Sequence, residues 1–130
     1  MSDIGKNLRD HLSMTGNLKE PRVKKEFVSI DGTRKWLIES FSGKLFELVY
    51  IPEKTRGTLC VSSQVGCALK CDFCSTGKLG FSYNLTSAEI VAQIRIAIRR
   101  LAEIFPDNKK RSVSNIVFMG MGEPLLNLPN

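Results

Sequence analysis

Apolar residues change rhythm along this chain. From Asp3 to Met14, Ile4, Leu8 and Leu12 recur at four-residue spacing with charges on the other side, which predicts a short amphipathic helix, marginal on its own. Thr15 to Pro21, with Gly16, Asn17 and Pro21, breaks any period and reads as a linker. Alternation then takes over in Val23 to Ile30, Thr33 to Ser40 and Lys44 to Ile51, three strand candidates. Asp31-Gly32 between the first two predicts a tight type I′ hairpin turn, and Ser42-Gly43 turns the second run into the third. The expectation is an antiparallel three-stranded unit whose buried or half-buried faces are supplied by Trp36, Ile38, Phe46, Leu48 and Tyr50.

After a loop at Pro52 to Gly57, Thr58 to Ser62 reads as a short strand entering a stretch flanked by Gly66 and Gly77. Thr86 and Glu89 form a capping box, and Ile90, Ile94, Ala97, Leu101 and Ile104 recur at helical spacing while Arg95, Arg99 and Glu103 mark another face. That is a helix of about four to five turns. A polar, basic loop from Pro106 to Ser114 leads to an apolar strand, Asn115 to Met119. A strand, a long crossover helix and another strand imply a parallel βαβ unit.

Composition limits the classes. The 130 residues carry 42% hydrophobic residues, enough for one ordinary domain or parts of two and not the composition of a disordered chain. No apolar run approaches a membrane span and no signal-peptide pattern opens the chain, so a cytoplasmic protein is expected. The formal net charge of +6 divides evenly, with 11 basic against 8 acidic residues in 1–60 and 8 against 5 in 61–130, so +3 in each. This balance suits a polyanion such as RNA but supports it weakly, because no block concentrates the charge. Arg95, Arg99, Arg100, Lys109, Lys110 and Arg111 are candidates for phosphate contacts, with solvated surface charge the plainer reading.

The candidate chemistry lies in Cys67-Ala-Leu-Lys-Cys71-Asp-Phe-Cys74, three of the four cysteines within eight residues. Such a cluster suits a metal better than crosslinks that close long loops. A structural zinc wants four ligands, with Cys60 or the single histidine, His11, as possible fourth donors; an iron-sulfur cluster is the other cage for thiolates. Three thiolates on a cubane leave the fourth iron open for chemistry. Gly120-Met-Gly-Glu123 follows the last strand, where glycines leave backbone accessible and a carboxylate can accept a charge-assisted hydrogen bond. Cys60, taken alone, is a small buried residue. Glu47 alternates with Leu45 and Val49, an odd place for a carboxylate unless it meets solvent or a polar cavity.

The C-x3-C-x2-C spacing with Phe73 before the last cysteine resembles the radical S-adenosylmethionine enzymes. The wider wording, Cys60-Val-Ser-Ser-Gln-Val-Gly-Cys67, Gly80-Phe81, Asn84-Leu85-Thr86 and Met119-Gly-Met-Gly-Glu-Pro-Leu-Leu-Asn127, is similar to the adenine-C2 RNA methyltransferases that act on 23S ribosomal RNA and tRNA. The resemblance runs from about Trp36 to Asn127. It implies a 4Fe-4S cluster on Cys67, Cys71 and Cys74 with Phe73 packed beside it, and S-adenosylmethionine bound by Gly122 and Glu123. It further implies Glu47 as proton acceptor, Cys60 as a resolving thiol that forms a disulfide with a methyl-carrying cysteine, and an external electron donor. No cysteine follows Cys74, so that partner is missing from this chain.

The fold class expected from the resemblance is α/β, the first βαβ portion of a partial (β/α)6 barrel preceded by the small antiparallel unit. Its divisions are a helix and linker at 1–21, an accessory unit at 22–56 and a truncated barrel portion at 57–130. The chain is expected to be a fragment, inactive alone. A small zinc-binding, cysteine-rich RNA-binding module without catalysis is the alternative.

Overall fold

A computed structural model describes residues 5–15, 20–54, 56–106 and 113–128. Helix α1 (Lys6–Thr15) precedes strands β1 (Arg22–Val28), β2 (Arg34–Glu39) and β3 (Leu45–Pro52). Then follow β4 (Gly57–Cys60), β5 (Gln64–Gly66), the short helix α2 (Ser75–Lys78), β6 (Phe81–Asn84), the long helix α3 (Ser87–Ile104), β7 (Asn115–Val117) and a 3-10 turn at Pro124–Asn127. Of the expected linker and basic loop, residues 16–19 and 107–112 lie outside the described residues.

The result is a mixed α/β fold whose main sheet has five strands in the order β1-β2-β3-β4-β7, antiparallel except for the last pair. The three expected strands form with Trp36 facing Leu48, and Ile38 facing Phe46, across β2 and β3. These four side chains and Tyr50 are buried on one face, each worth about 1.5–3 kcal/mol relative to exposure. The parallel unit also forms: β4 and β7 align Thr58 with Asn115 and Cys60 with Val117, and α3 crosses over between them. The expected boundary at 56–57 falls between β3 and β4, which are hydrogen-bonded neighbours in this sheet.

The first hairpin differs from the expected turn. Ser29 N–H donates to the Thr33 carbonyl and Gly32 N–H to the Ser29 carbonyl, so the loop has three residues, Ile30 to Gly32. Only Gly32 has positive φ, +85°, because Asp31 spends its carboxylate on the Thr33 N–H at 3.0 Å instead of adopting the left-handed conformation that a I′ turn requires. The second hairpin repeats the pattern, with Ser40 N–H donating to Lys44, Gly43 N–H to Ser40, and Gly43 at +77°.

Helix α3 begins at the predicted capping box, with the Thr86 hydroxyl accepting from Glu89 N–H and the Glu89 carboxylate from Thr86 N–H. Glu89 is buried, and its other oxygen accepts from Phe41 N–H at 3.2 Å and Tyr83 Oη at 2.9 Å, pinning the helix to the β2–β3 hairpin and to β6. The buried stripe departs from the apolar spacing. Gln93 and Ile96 are fully buried with Ala97 and Leu101, whereas Ile90 and Ile94 are partly covered. Gln93 is inside because its amide pairs with Ser62: Oε1 accepts from Ser62 N–H and Nε2 donates to the Ser62 carbonyl, both at 2.8 Å.

This pairing carries a measurable cost of removal. Gln93→Leu leaves a buried N–H and a buried carbonyl without partners, and should destabilise the chain by about 2–4 kcal/mol in urea unfolding. Arg100→Ala, which breaks an exposed pair with Glu103, should change stability by no more than about 1 kcal/mol.

Candidate cofactor site

β4 ends at Cys60, and the next residues, Val61 to Gln64, are wholly buried. β5 then pairs antiparallel with β6 as a separate two-stranded sheet, which the apolar rhythm does not predict. This ribbon closes the cysteine loop at its base. Cys67 N–H donates to the Gly80 carbonyl at 3.1 Å, and Gly66, at φ +77°, lies so close that a Cβ there would stand 1.8 Å from the Gly80 oxygen. Only glycine fits such an approach. Within the loop, Cys74 N–H donates to the Cys71 carbonyl at 3.0 Å and Lys78 N–H to the Cys74 carbonyl at 3.3 Å. Cys67, Cys71 and Cys74 are thereby carried, partly exposed, on one tied segment.

The cysteines differ electrostatically. Cys74 precedes α2, and the backbone N–H groups of Gly77 and Thr76 favour its thiolate and hold its pKa below the usual thiol value, though no formed capping hydrogen bond reaches the sulfur. Cys60 moves the other way, its thiol pKa pushed up by burial. The expected disulfide is corrected: all four cysteines are free thiols, three committed to the loop and Cys60 half-buried at a strand end. Among the described residues, no three His, Cys, Asp or Glu side chains converge as ligands of one metal ion. Phe73, expected beside the cluster, is 92% exposed, and His11 lies exposed on α1.

The segment after β7 is fixed by the buried run after β4. Met121 N–H donates to Ser62 Oγ at 2.8 Å, and the Met121 carbonyl accepts from Ser63 and Gln64 N–H. Gly122 has φ +93°, and a Cβ there would stand 2.4 Å from Gln64 Cβ. Glu123 N–H donates to Gln64 Oε1 at 3.0 Å, while one carboxylate oxygen of Glu123 accepts from Leu125 N–H and caps the 3-10 turn. Ser62 Oγ also donates to the Glu47 carbonyl at 2.6 Å, and the Glu47 carboxylate pairs with Lys35 at 3.0 Å.

An open groove of about 210 Å³ brings Glu47, α2 and Met121 together, whereas the four cysteines, Gly122 and Glu123 do not line it. It is lined by Leu45 and Glu47 of β3, Ser75 and Thr76 of α2, Leu79, and Met121. Cys60 pairs with Val49, which alternates with Glu47, so Cys60 and Glu47 rise from the same face of the sheet. Sequence reasoning missed Lys35, Gln64 and Gln93, none of which belongs to an apolar rhythm. The run Ser62-Ser63-Gln64 directly after an apolar strand was the available signal. Of the basic candidates, Arg95 and Arg99 pair with Glu20, and Arg100 with Glu103; Lys109, Lys110 and Arg111 lie outside the described residues.

No protein-family model matches the chain. All 130 residues align at 52% identity with the dual-specificity RNA methyltransferase RlmN of Pseudomonas putida F1 and with that of Pseudomonas fluorescens SBW25, and at 51% with that of Pseudomonas entomophila L48. The chain spans about a third (34%) of the length of these relatives. A crystal structure of a radical SAM methyltransferase from Sphaerobacter thermophilus superposes with a TM-score of 0.83 at 40% identity, covering 98% of this chain and 36% of that one. Sequence and fold agree over the whole of the chain, which is similar throughout to the RlmN RNA methyltransferases and to a radical SAM methyltransferase and spans about a third of the length of these relatives.

Proposed function

We propose that this chain forms the cluster and cofactor end of a radical S-adenosylmethionine methyltransferase that modifies C2 of adenine in 23S rRNA and tRNA by way of a methylated cysteine. The observation that carries the reading is the groove in which Glu47, the helix that follows Cys74, and Met121 of Gly120–Glu123 meet. In this reading residues 57–130 are part of a partial (β/α)6 barrel, residues 22–56 an accessory unit and residues 1–21 a helix and linker. The setting is the cytoplasm, with a separate electron donor.

The donor set suits a 4Fe-4S cluster chemically. Three soft thiols sit on one tied loop, and a cubane takes one thiolate per iron, so they need not converge on a point as ligands of a single zinc would. Cys67, Cys71 and Cys74 would hold it, and the cluster would supply the electron that cleaves S-adenosylmethionine. Gly122, half-buried with Gln64 filling the space a side chain would need, would meet the cofactor through its backbone. The Glu123 carboxylate uses one oxygen as a cap and offers the other to the cofactor's ammonium. Methylation of an aromatic carbon must end with loss of that carbon's proton, and Glu47 accepts it, held in place by Lys35. Cys60, which rises from the same face as Glu47, would act as the resolving thiol that helps to release the product.

Anaerobic reconstitution with iron and sulfide tests the assignment. The wild-type chain should acquire iron, acid-labile sulfide and visible charge-transfer absorbance. Cys71→Ala should abolish all three and Cys60→Ala should leave them intact. Equal loss in both variants, or zinc as the bound metal, would instead favour the zinc-binding RNA module. Glu123→Ala should weaken S-adenosylmethionine binding by about 1.5–3 kcal/mol with iron content unchanged, measured by calorimetry. Glu123→Gln keeps an acceptor for the cap, so an equal loss there would assign the effect to charge and not to the turn. In the metal-free chain near neutral pH, iodoacetamide should label Cys74 faster than Cys60. The thiolate fraction of Cys74 is raised and that of Cys60 lowered, and the gap should narrow as pH climbs past both values.

A further inference from the structure

Beyond the cysteine loop, the solvent face of the main sheet holds two residues that the proposed chemistry does not use, Lys25 and Phe27, beside Lys35, which pairs with Glu47. Register places them. One rung runs Phe27, Lys35, Val49 and Cys60 across β1 to β4, and the next runs Lys25, Leu37 and Glu47 across β1 to β3. Paired residues project to the same side, and the rungs lie two residues apart along β2, so both rise from one face. Phe27 is 44% exposed, with Lys25 Nζ 4.7 Å and Lys35 Nζ 5.4 Å from its ring centroid. Lysines on an outer strand can serve simply to block edge pairing, but that task does not call for an exposed aromatic ring between them.

We infer that Lys25, Phe27 and Lys35 form a platform for single-stranded RNA, with a base stacked on Phe27 and a phosphate held by Lys25. The inference rests on the proposed reading of Glu47, since it concerns how the strand bearing the target adenine is laid toward that carboxylate. Charge and shape favour this occupant. Among the described residues Lys25 makes no carboxylate ion pair, and its ammonium rests over the ring. An arriving phosphate draws that ammonium away and bares the ring's face to a base, so the cation–π contact gives way to an ion pair and a stack. Strand spacing and rise put Phe27 about 12 Å from Glu47 along the face, a short step along a nucleic-acid strand. A duplex keeps its bases stacked on one another and cannot offer one to the ring.

The test is fluorescence anisotropy of the full 130-residue chain with a short labelled oligoribonucleotide of mixed sequence, single-stranded or annealed to its complement, across a salt series. Phe27→Ala should weaken single-strand binding about ten-fold with an unchanged salt slope, and Phe27→Trp should retain it. Lys25→Gln should lower the salt slope by about one, and Lys25→Arg should restore it. Phe41→Ala, at another exposed phenylalanine on the second hairpin, should have no effect. If Phe27→Ala unfolds the chain, Phe27→Leu decides, because it keeps apolar volume and removes the π face. Wild-type affinity in Phe27→Leu or Phe27→Ala, or an equal loss for the duplex, overturns the platform. So does absence of RNA binding by a wild-type chain that assembles its cluster and binds S-adenosylmethionine, and in that case the catalytic reading stands. Failure of cluster assembly with the Phe27 effect intact would remove the catalytic reading and leave the platform.

Discussion

Two hydrogen bonds between the Gln93 side chain and the backbone of Ser62 hold the centre of this molecule. Ser62 follows β4 where the strand ladder has ended, and it is fully buried. Its N–H and carbonyl therefore need partners, and neither water nor a neighbouring strand supplies them. An amide presents a donor and an acceptor side by side, so one residue of α3 satisfies both. The Ser62 hydroxyl extends the network, donating to the Glu47 carbonyl and accepting from Met121 N–H. β3, α3 and the turn after β7 are thus referenced to one buried residue.

The site inherits its rigidity from that reference. Chemistry in a parallel α/β unit gathers beyond the carboxyl ends of the strands, and here both such ends, after Cys60 and after Val117, are tied through Ser62, Ser63 and Gln64 to Gly120–Glu123. Asn127 adds a further clasp, donating from one amide nitrogen to the Ser63 and Leu85 carbonyls. The cysteine loop is closed by the β5–β6 ribbon, Gly66 against Gly80, and that ribbon joins the network through Gln64. The frame and the loop tied to it meet across the groove beside Glu47.

Local chemistry made much of this legible in advance. The alternation of Trp36, Ile38, Phe46, Leu48 and Tyr50 places a β face because a strand's period of two admits only one buried side. Thr86 and Glu89 mark the start of α3 because a capping box is satisfied within four residues. The cysteine spacing was visible for the same reason, being a local arrangement of donors in one loop. The turn at Asp31-Gly32 was misread because its dipeptide suits more than one loop, and the Asp31 contact with Thr33 chose the three-residue form.

What the chain by itself determined was therefore the strands, the long helix, the parallel crossover and the thiolate donor set. Each depends on period, cap or spacing over a few residues. Only the tertiary structure decided that Gln93 goes inside, that Glu123 caps a turn, that β5 and β6 close the cysteine loop, and that Lys35 meets both Glu47 and Phe27. Those outcomes join residues far apart in the chain or turn on burial of polar groups. A glutamine inside a helix looks like surface until the fold presents it with a backbone N–H and a carbonyl that have no other partner.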